Sequence, residues 1–181
     1  MRHVGKLVNV NKSDSSQFHS LARTKLRFTL NGRKVAVFAP AAKTLLRLLR
    51  EDFGLTGAKP GCEAGECGSC TVLLDGLPVT SCLVLTSQVQ GRVVTTVEGL
   101  DRSGELDALR RSFASEGAIQ CGYCIPGFVV ASYALIKANE FGGLDALSKQ
   151  LEGNICRCGG YPKIMSAVRK AAATSEGSRK P

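Results

Sequence analysis

Eight cysteines, divided along the chain into two groups of four, constrain this 181-residue sequence more than any other feature. The spacing in the first group is C-x4-C-x2-C-x11-C. In the second, a C-x2-C pair is followed 31 residues later by a C-x-C pair. The first group is Cys62, Cys67, Cys70 and Cys82, and the second is Cys121, Cys124, Cys156 and Cys158. Because no cysteine is left over, two four-thiol centres account for all eight.

Three chemistries compete for these thiols. Disulfides need an oxidising compartment, and we find no export signal in the sequence. Paired C-x2-C units are common zinc ligands, whereas C-x4-C-x2-C with a later fourth cysteine is the spacing of plant-type 2Fe–2S ferredoxins. The first group therefore favours an iron–sulfur cluster, while the second group by itself leaves zinc and iron–sulfur open.

Three glycines interleave with the first three cysteines, at Gly61, Gly65 and Gly68. Glycine permits sharp turns and a close approach of the backbone. A loop that wraps a cluster needs both, because its N–H groups must point at the sulfur atoms. The glycines thus support a cluster-binding loop over an ordinary turn.

The first half of the chain has the pattern of a small sheet. Apolar residues alternate through 25–38 on either side of Asn31-Gly32, a strong hairpin signal. Residues 43–53 fit a short helix that Gly54 ends. Strands are expected at 71–74, 77–80 and 92–97. A hairpin, a crossing helix and further strands predict a β-grasp-like sheet.

The second half is helical in pattern. We expect a linker at 99–104, then helices at 106–116, 128–139, 144–151 and 162–173. Each cysteine pair of the second group directly precedes a helix that opens near a proline, Pro126 or Pro162. Helix N-termini favour anionic thiolates and clusters. Arg157, between two of the cysteines, either offsets cluster charge or is merely exposed.

The formal charge of +9 is unevenly distributed. Residues 1–34 hold eight Lys or Arg and one Asp, a net charge of +7. We interpret residues 1–22 as a flexible basic arm that is solvated or docks on a partner, and not as a nucleic-acid site, because aromatic and basic residues do not interleave. His3 and His19 lie in this arm. We expect no membrane span, and a cytoplasmic location.

Three segments carry a family resemblance: GCEAGECGSCTV, QCGYCIPGF and GNICRCGGYPKI. The chain resembles, over about residues 24–172, the small iron–sulfur subunit of the xanthine oxidase family of molybdenum hydroxylases. The resemblance implies an α+β chain in which a plant-ferredoxin-like β-grasp 2Fe–2S domain (23–98) is followed by an all-α four-helix 2Fe–2S domain (99–174). Composition indicates a flexible arm before them (1–22) and a tail after them (175–181).

The same resemblance assigns roles to individual residues. Cys62, Cys67, Cys70 and Cys82 match the ligands of the cluster distal from molybdenum. Cys121, Cys124, Cys156 and Cys158 match those of the proximal cluster. Gln120 and Cys158 match residues that contact the molybdopterin.

The function that follows is electron transfer through two 2Fe–2S clusters, between a large molybdopterin subunit and a medium FAD subunit of a molybdenum hydroxylase or dehydrogenase. The resemblance implies a heterotrimer, doubled, with no substrate chemistry and no catalytic residue on this chain. A free-standing ferredoxin-type shuttle is the alternative, and a zinc-stabilised module with a basic arm is a third hypothesis. The substrate, the direction of the reaction and the electron acceptor are not encoded here.

Overall fold

The structure, a computed structural model, describes residues 23–138 and 143–177, with the backbone alone at 143–145 and 175–177. Its strands are Arg23–Leu30 (β1), Arg33–Pro40 (β2), Thr71–Leu74 (β3), Leu77–Thr80 (β4) and Val93–Thr95 (β5). Its helices are Leu45–Arg47 continued by a π-helical turn Leu48–Asp52 (together α1), Val97–Arg102 (α2), Asp107–Ser115 (α3), Ile125–Ala138 (α4), Gly143–Gln150 (α5) and Tyr161–Gly177 (α6). A 3-10 turn spans Thr86–Val89. The arm with its two histidines lies outside the described residues.

The five strands form one mixed sheet in the order β2-β1-β5-β3-β4, in which β1 and β5 are parallel and the other pairs antiparallel. The predicted hairpin is confirmed: Asn31 and Gly32 both adopt positive φ, as a tight two-residue hairpin turn requires. Along β1, Leu26, Phe28 and Leu30 are buried while the residues between them are more exposed. This alternation turns one face of the sheet towards α1.

Helix α1 closes that face. The Thr44 hydroxyl accepts a hydrogen bond from the Arg47 N–H at 3.3 Å and caps the first turn. Gly54 follows the helix with φ of +64°, as predicted. The predicted helix at 43–53 is thus present, except that its second half is wound as a π turn. The core between α1 and the sheet includes Leu26, Phe28, Leu30, Leu45, Leu46, Leu48, Leu49, Val72, Leu74 and Val94.

One expectation is wrong between the two halves. The strand predicted at 92–97 ends at Thr95, and a helix at Val97–Arg102 takes up the first four residues of the linker predicted at 99–104. Tertiary contacts explain the difference. The Glu98 carboxylate accepts hydrogen bonds from the Gly57 N–H at 2.8 Å and the Thr96 hydroxyl at 2.6 Å, and Leu100 is buried in the helical core. The sequence of 97–102 contains no pattern that indicates these hydrogen bonds or this burial.

The other predicted helices are present as α3 to α6, and α6 runs to Gly177, three residues into the predicted tail. They enclose a second core, which includes Leu106, Leu109, Phe113, Phe128, Val130, Leu147, Leu151, Ile164 and Val168. Helix α4 also packs on β3, and Leu73 of that strand belongs to the helical core. The α+β fold is therefore confirmed, and β3 is buried from both sides.

Candidate metal centres

The structure brings the first four cysteines together. Cys62, Cys67 and Cys70 lie in the loop between α1 and β3, and Cys82 follows β4. Cys62 is exposed, whereas Cys70 and Cys82 are buried. The Ser81 hydroxyl donates a 2.7 Å hydrogen bond to the carbonyl of Cys70. That bond holds the fourth cysteine beside the loop that carries the other three.

Backbone N–H groups surround the exposed sulfur of this group. Those of Ala64, Glu66 and Cys67 donate to Cys62 Sγ at 3.4, 3.3 and 3.4 Å. The Ala64 and Cys67 N–H groups are the main reason that the pKa of the Cys62 thiol is lowered to about 7. The loop is therefore built to stabilise negative charge on sulfur, as the sequence predicted.

Two of the predicted loop glycines have no room for a side chain. A Cβ on Gly61 would lie 2.6 Å from Cys67 Sγ. One on Gly68 would lie 2.3 Å from the carbonyl oxygen of Gly153, and Gly68 also has φ of +64°. The first glycine lets the backbone approach a sulfur. The second lets the two halves of the molecule meet, a role that the sequence did not reveal.

The second four cysteines also converge. Cys121 and Cys124 directly precede α4, and Cys156 and Cys158 precede α6, as predicted. Cys121 and Cys158 are exposed, and Cys124 and Cys156 are buried. This group therefore presents two sulfurs at the surface and keeps two inside.

Backbone N–H groups act on this group as well. The Tyr123 N–H, followed by contact with Cys158, lowers the pKa of Cys121. Burial by itself would raise the pKa of Cys156, but the Gly160 N–H, which donates to its Sγ at 3.3 Å, and contact with Cys124 bring it below the ordinary value. One sulfur ahead of each helix, Cys121 before α4 and Cys156 before α6, is thus favoured in its anionic form.

Within each group the thiols lie in side-chain contact as pairs, which are Cys62 with Cys67, Cys70 with Cys82, Cys121 with Cys158, and Cys124 with Cys156. Burial, then contact with Cys70, raises the pKa of Cys82 to about 11. Burial, then contact with Cys156, raises that of Cys124 to about 12. A bound cation deprotonates such thiols. In each group one buried thiol, Cys82 or Cys124, therefore becomes a thiolate only with the help of a bound metal centre.

The pairing distinguishes among the three chemistries. In a four-cysteine 2Fe–2S cluster each iron takes two of the thiolates, whereas structural zinc needs four donors around one point. Among the described residues no three His, Cys, Asp or Glu side chains converge on a single ion position. All eight cysteines are free thiols. Two pairs per group fit a two-iron cluster.

The two cysteine loops touch. The Ile155 N–H donates to the carbonyl of Cys67 at 3.0 Å, and the Asn154 side-chain amide donates to the carbonyl of Gly68 at the same distance. Cys156 follows directly in the chain. One cysteine of the first group, Cys67, is thus joined to one of the second, Cys156, by a few covalent bonds and one hydrogen bond.

Comparison with known proteins agrees with this geometry. A family model described as a 2Fe-2S iron-sulfur cluster binding domain matches residues 28–93, and one described as a [2Fe-2S] binding domain matches residues 96–169. The nicotinate dehydrogenase small FeS subunit of Eubacterium barkeri is 43% identical over 81% of this chain and 93% of its own length. The xanthine dehydrogenase iron-sulfur-binding subunit of Escherichia coli O157:H7 is 39% identical over 77% of this chain and 89% of its own.

The chain belongs to the small iron–sulfur subunits of the xanthine oxidase family of molybdenum hydroxylases. A solved structure of the family, quinoline 2-oxidoreductase from Pseudomonas putida 86, contains a chain that superimposes with a TM-score of 0.80 at 37% identity. The match covers 87% of this chain and 99% of that one. The predicted family, fold, two 2Fe–2S clusters and role as an electron-transfer subunit of an oxidoreductase are confirmed.

Around the second cysteine group this family member has an exposed apolar surface. It comprises Ile119, Tyr123, Ile155 and Tyr161, each 39–51% exposed. Gln120 lies exposed in the same surface, with its amide nitrogen 3.6 Å from the position that a Cβ on Gly160 would take. An apolar patch therefore lies next to the second cysteine group, and Gln120 lies beside the loop that carries Cys156.

Sequence reasoning missed three residues that hold the second cysteine group. Asn154 is buried and binds the first loop. The Tyr161 hydroxyl accepts the Cys156 N–H at 2.9 Å, and the Tyr123 hydroxyl donates to the carbonyl of Pro60 at 2.7 Å. Only their nearness to cysteines in the segments CGYC and NICRCGGY marked them.

Within residues 23–138 and 143–177 no helix is long and apolar enough to cross a membrane.

Proposed function

We propose that this chain relays electrons, one at a time, between a molybdopterin site on a large partner subunit and FAD on a medium partner subunit. The relatives that it matches are subunits of nicotinate and xanthine dehydrogenases. The observation that carries the proposal is the hydrogen bond between Ile155 and Cys67, because it couples the two cysteine groups directly. A chain with two coupled one-electron centres and exposed sulfur in each is suited to relaying electrons between partners.

The proposed ligands are the two groups of four cysteines. Cys62, Cys67, Cys70 and Cys82 would hold one 2Fe–2S cluster, and Cys121, Cys124, Cys156 and Cys158 the other. Each cluster accepts and returns a single electron when it is bound. The pairwise contacts between thiols and the free state of all eight cysteines support the assignment.

The chain itself keeps the charge on sulfur stable. The N–H groups of Ala64, Glu66 and Cys67 hold the sulfur of Cys62, and the Gly160 N–H holds that of Cys156. Burial of Cys70, Cys82, Cys124 and Cys156 keeps water from the inner half of each site. Donors to sulfur and exclusion of water are two of the factors that set cluster potentials.

We place the second cysteine group nearest the molybdopterin. Its exposed sulfurs, Cys121 and Cys158, lie in a surface with Gln120 and the apolar side chains of Ile119 and Tyr123. An exposed patch of this kind is typical of a protein interface. Gln120 would hydrogen-bond the cofactor through its amide, and Cys158 would lie against it. The first group would then be distal and face the flavin subunit.

The assembly that we propose is a dimer of heterotrimers, and its location the cytoplasm. Two partners follow from the proposed relay itself, because an electron carrier needs a donor and an acceptor. Cluster ligation by all eight cysteines fits a reducing compartment, where thiols are not oxidised to disulfides. Analytical ultracentrifugation of the purified complex, with its subunits identified by mass spectrometry, would return the mass of six chains. A mass that fits three chains would refute the doubling.

Metal analysis tests the relay itself. Anaerobically purified chain should hold about four irons and about four acid-labile sulfides, with visible absorption that bleaches on reduction. A colourless protein containing zinc and no sulfide would refute it and support the zinc-stabilised module. Recovery of a coloured protein that never associates with a molybdenum- or flavin-bearing chain would instead support the free shuttle.

A further inference from the structure

The second face of the sheet, opposite α1, is covered over only half its width. At β3 it lies beneath α4, and Leu73 is buried in the helical core. At β1 and β2 it is open. The register pairs Lys25 with Phe38, Arg27 with Ala36, and Thr29 with Lys34. Since these positions alternate with buried Leu26, Phe28 and Leu30, their side chains share the open face.

This open face is basic. It carries Arg23, Lys25, Arg27 and Lys34, and no acidic residue occurs between Arg23 and Pro40. Within the described residues none of these four side chains forms an ion pair. The guanidinium of Arg23 donates to the carbonyl of Phe38, and the Lys25 ammonium lies 5.8 Å from the centre of the Phe38 ring. Phe38 itself is 56% exposed.

The chain's own carboxylates are engaged elsewhere. In the described residues eight of them pair with basic side chains outside the hairpin, namely Glu51 and Asp52 with Lys43, Glu63 with Arg47, Asp75 with Arg92, Asp101 and Asp107 with Arg110, Glu105 with Lys137, and Glu116 with Lys170. The open face therefore brings together four basic side chains that form no ion pair with the carboxylates of the described residues.

Protection of a sheet edge accounts for only part of this concentration. Basic side chains on an edge strand discourage unwanted strand pairing, and β2 is an edge strand. Strand β1 pairs with β2 along its length but with β5 only at Thr29 and Leu30, so Arg23 and Lys25 also lie beside an unpaired stretch. At Arg27, however, the carbonyl accepts the Gly91 N–H at 2.8 Å and the N–H donates to the Gln90 side chain at 2.9 Å, so this charge does not guard an open edge.

The face also has a recess that fits a carboxylate side chain. Arg27, Thr29, Lys34, Ala36 and Gly91 line a depression of about 370 Å³. Phe28 and Val35 complete its lining, so two basic residues border the depression together with apolar ones. A protruding Asp or Glu would find two positive partners there, with its methylene groups against Ala36.

We propose that this face, formed by Arg23, Lys25, Arg27, Thr29, Lys34, Ala36 and Phe38, docks on a carboxylate-rich surface of a partner subunit in the same complex. Charge complementarity identifies the partner's chemistry, and the exposed Phe38 supplies an apolar contact within the same face. The surface is separate from the one around the second cysteine group. A multi-subunit complex would thus hold this chain at two places.

Carbodiimide cross-linking of the intact complex tests the contact directly, because this reagent joins a lysine amine to a carboxylate that touches it. The tagged chain is purified with its partner subunits, cross-linked and analysed by peptide mass spectrometry. We expect Lys25 or Lys34 linked to Asp or Glu of a partner subunit, and both lysines protected from acetylation relative to the free chain. Equal acetylation in complex and free chain would overturn the proposal.

Reversing the charge of two basic residues tests how much the open face contributes to binding of the partner subunit. Arg27→Glu with Lys34→Glu should reduce the partner subunit recovered per tagged chain by about tenfold or more near physiological salt. Arg33→Glu with Arg111→Glu is the matched control. Arg33 pairs with Leu30 and so lies on the other face, Arg111 is exposed on α3, and recovery should not change.

Two measurements distinguish a failure of this docking proposal from misfolding of the variant chain and from a failure of the proposed electron relay. Unchanged iron and sulfide content shows that the double variant is folded and loaded, and Arg27→Gln with Lys34→Gln provides a milder form if it is not. Equal loss in variant and control would overturn the proposal. So would protection of the lysines by nucleic acid, detected by its absorbance and abolished by nuclease.

Discussion

The main-chain N–H of Ile155 donates a 3.0 Å hydrogen bond to the carbonyl of Cys67, which ties the loop of one cysteine group to the loop of the other. Asn154 strengthens the junction through its side-chain amide, which binds the carbonyl of Gly68. That carbonyl also accepts the Thr71 N–H at 3.1 Å and the Thr71 hydroxyl at 2.6 Å. The spacing between the two clusters therefore depends on a few backbone atoms.

Gly127→Ala should disrupt this junction. A Cβ on Gly127, in α4, would lie 2.2 Å from the carbonyl oxygen of Gly68, so backbone must move. Overpacking costs about 1–3 kcal/mol, and the better helix propensity of alanine offsets about 1 kcal/mol. We expect a lower apparent Tm by a few degrees and faster hydrogen exchange at the Ile155 N–H. Gly153→Ala is the control, because nothing lies within 4 Å of its Cβ position. Equal behaviour of the two variants would contradict the close approach.

Asn154→Ala tests the side-chain part of the same contact. The variant loses a buried donor to Gly68, whose carbonyl keeps its two bonds from Thr71. Stability should fall by about 1–2 kcal/mol, with both clusters retained, as read by thermal unfolding and visible absorption. Glu152→Ala, an exposed neighbour, should be neutral. A stable Asn154→Ala with unchanged exchange at Ile155 would show that the amide is dispensable.

Cys67→Ser should remove one paramagnetic signal of the reduced protein and leave the other, because its thiol belongs to the first group alone. Cys124→Ser should do the converse. Low-temperature electron paramagnetic resonance after dithionite reduction is the measurement, with circular dichroism to confirm folding. Loss of both signals in a folded single variant would mean that the eight thiols are not divided four and four.

Gln120→Ala should spare both clusters yet slow electron transfer within the assembled complex, or weaken retention of the molybdopterin. The amide is exposed beside the loop of the second cysteine group and is not needed to bury it. Rapid reduction of the clusters by substrate, together with molybdenum content, gives the readout. Lys163→Ala, an exposed residue on α6, serves as the control. Normal turnover and full molybdenum content in the Gln120→Ala complex would contradict a contact between Gln120 and the molybdopterin.

Some parts of the fold could be predicted because their causes are local. The Asn31-Gly32 turn needs positive φ at two positions. The strands at 71–74 and 77–80 flank the turn Asp75-Gly76, whose φ angles are also positive. Helix α2 could not be predicted, because Glu98 is held by Gly57, about forty residues away in the chain.

The cysteine spacing by itself determined that the chain would hold two four-thiol centres, and it favoured iron in the first. Ligand type and ligand spacing are written in consecutive residues, so a pattern can reveal them. Only the tertiary structure decided how the centres are related. The contact of Ile155 with Cys67, the burial of Asn154 and the open basic face of β1 and β2 each depend on segments that are distant in sequence. Long-range packing decides which backbone groups meet and which charges are left without a partner.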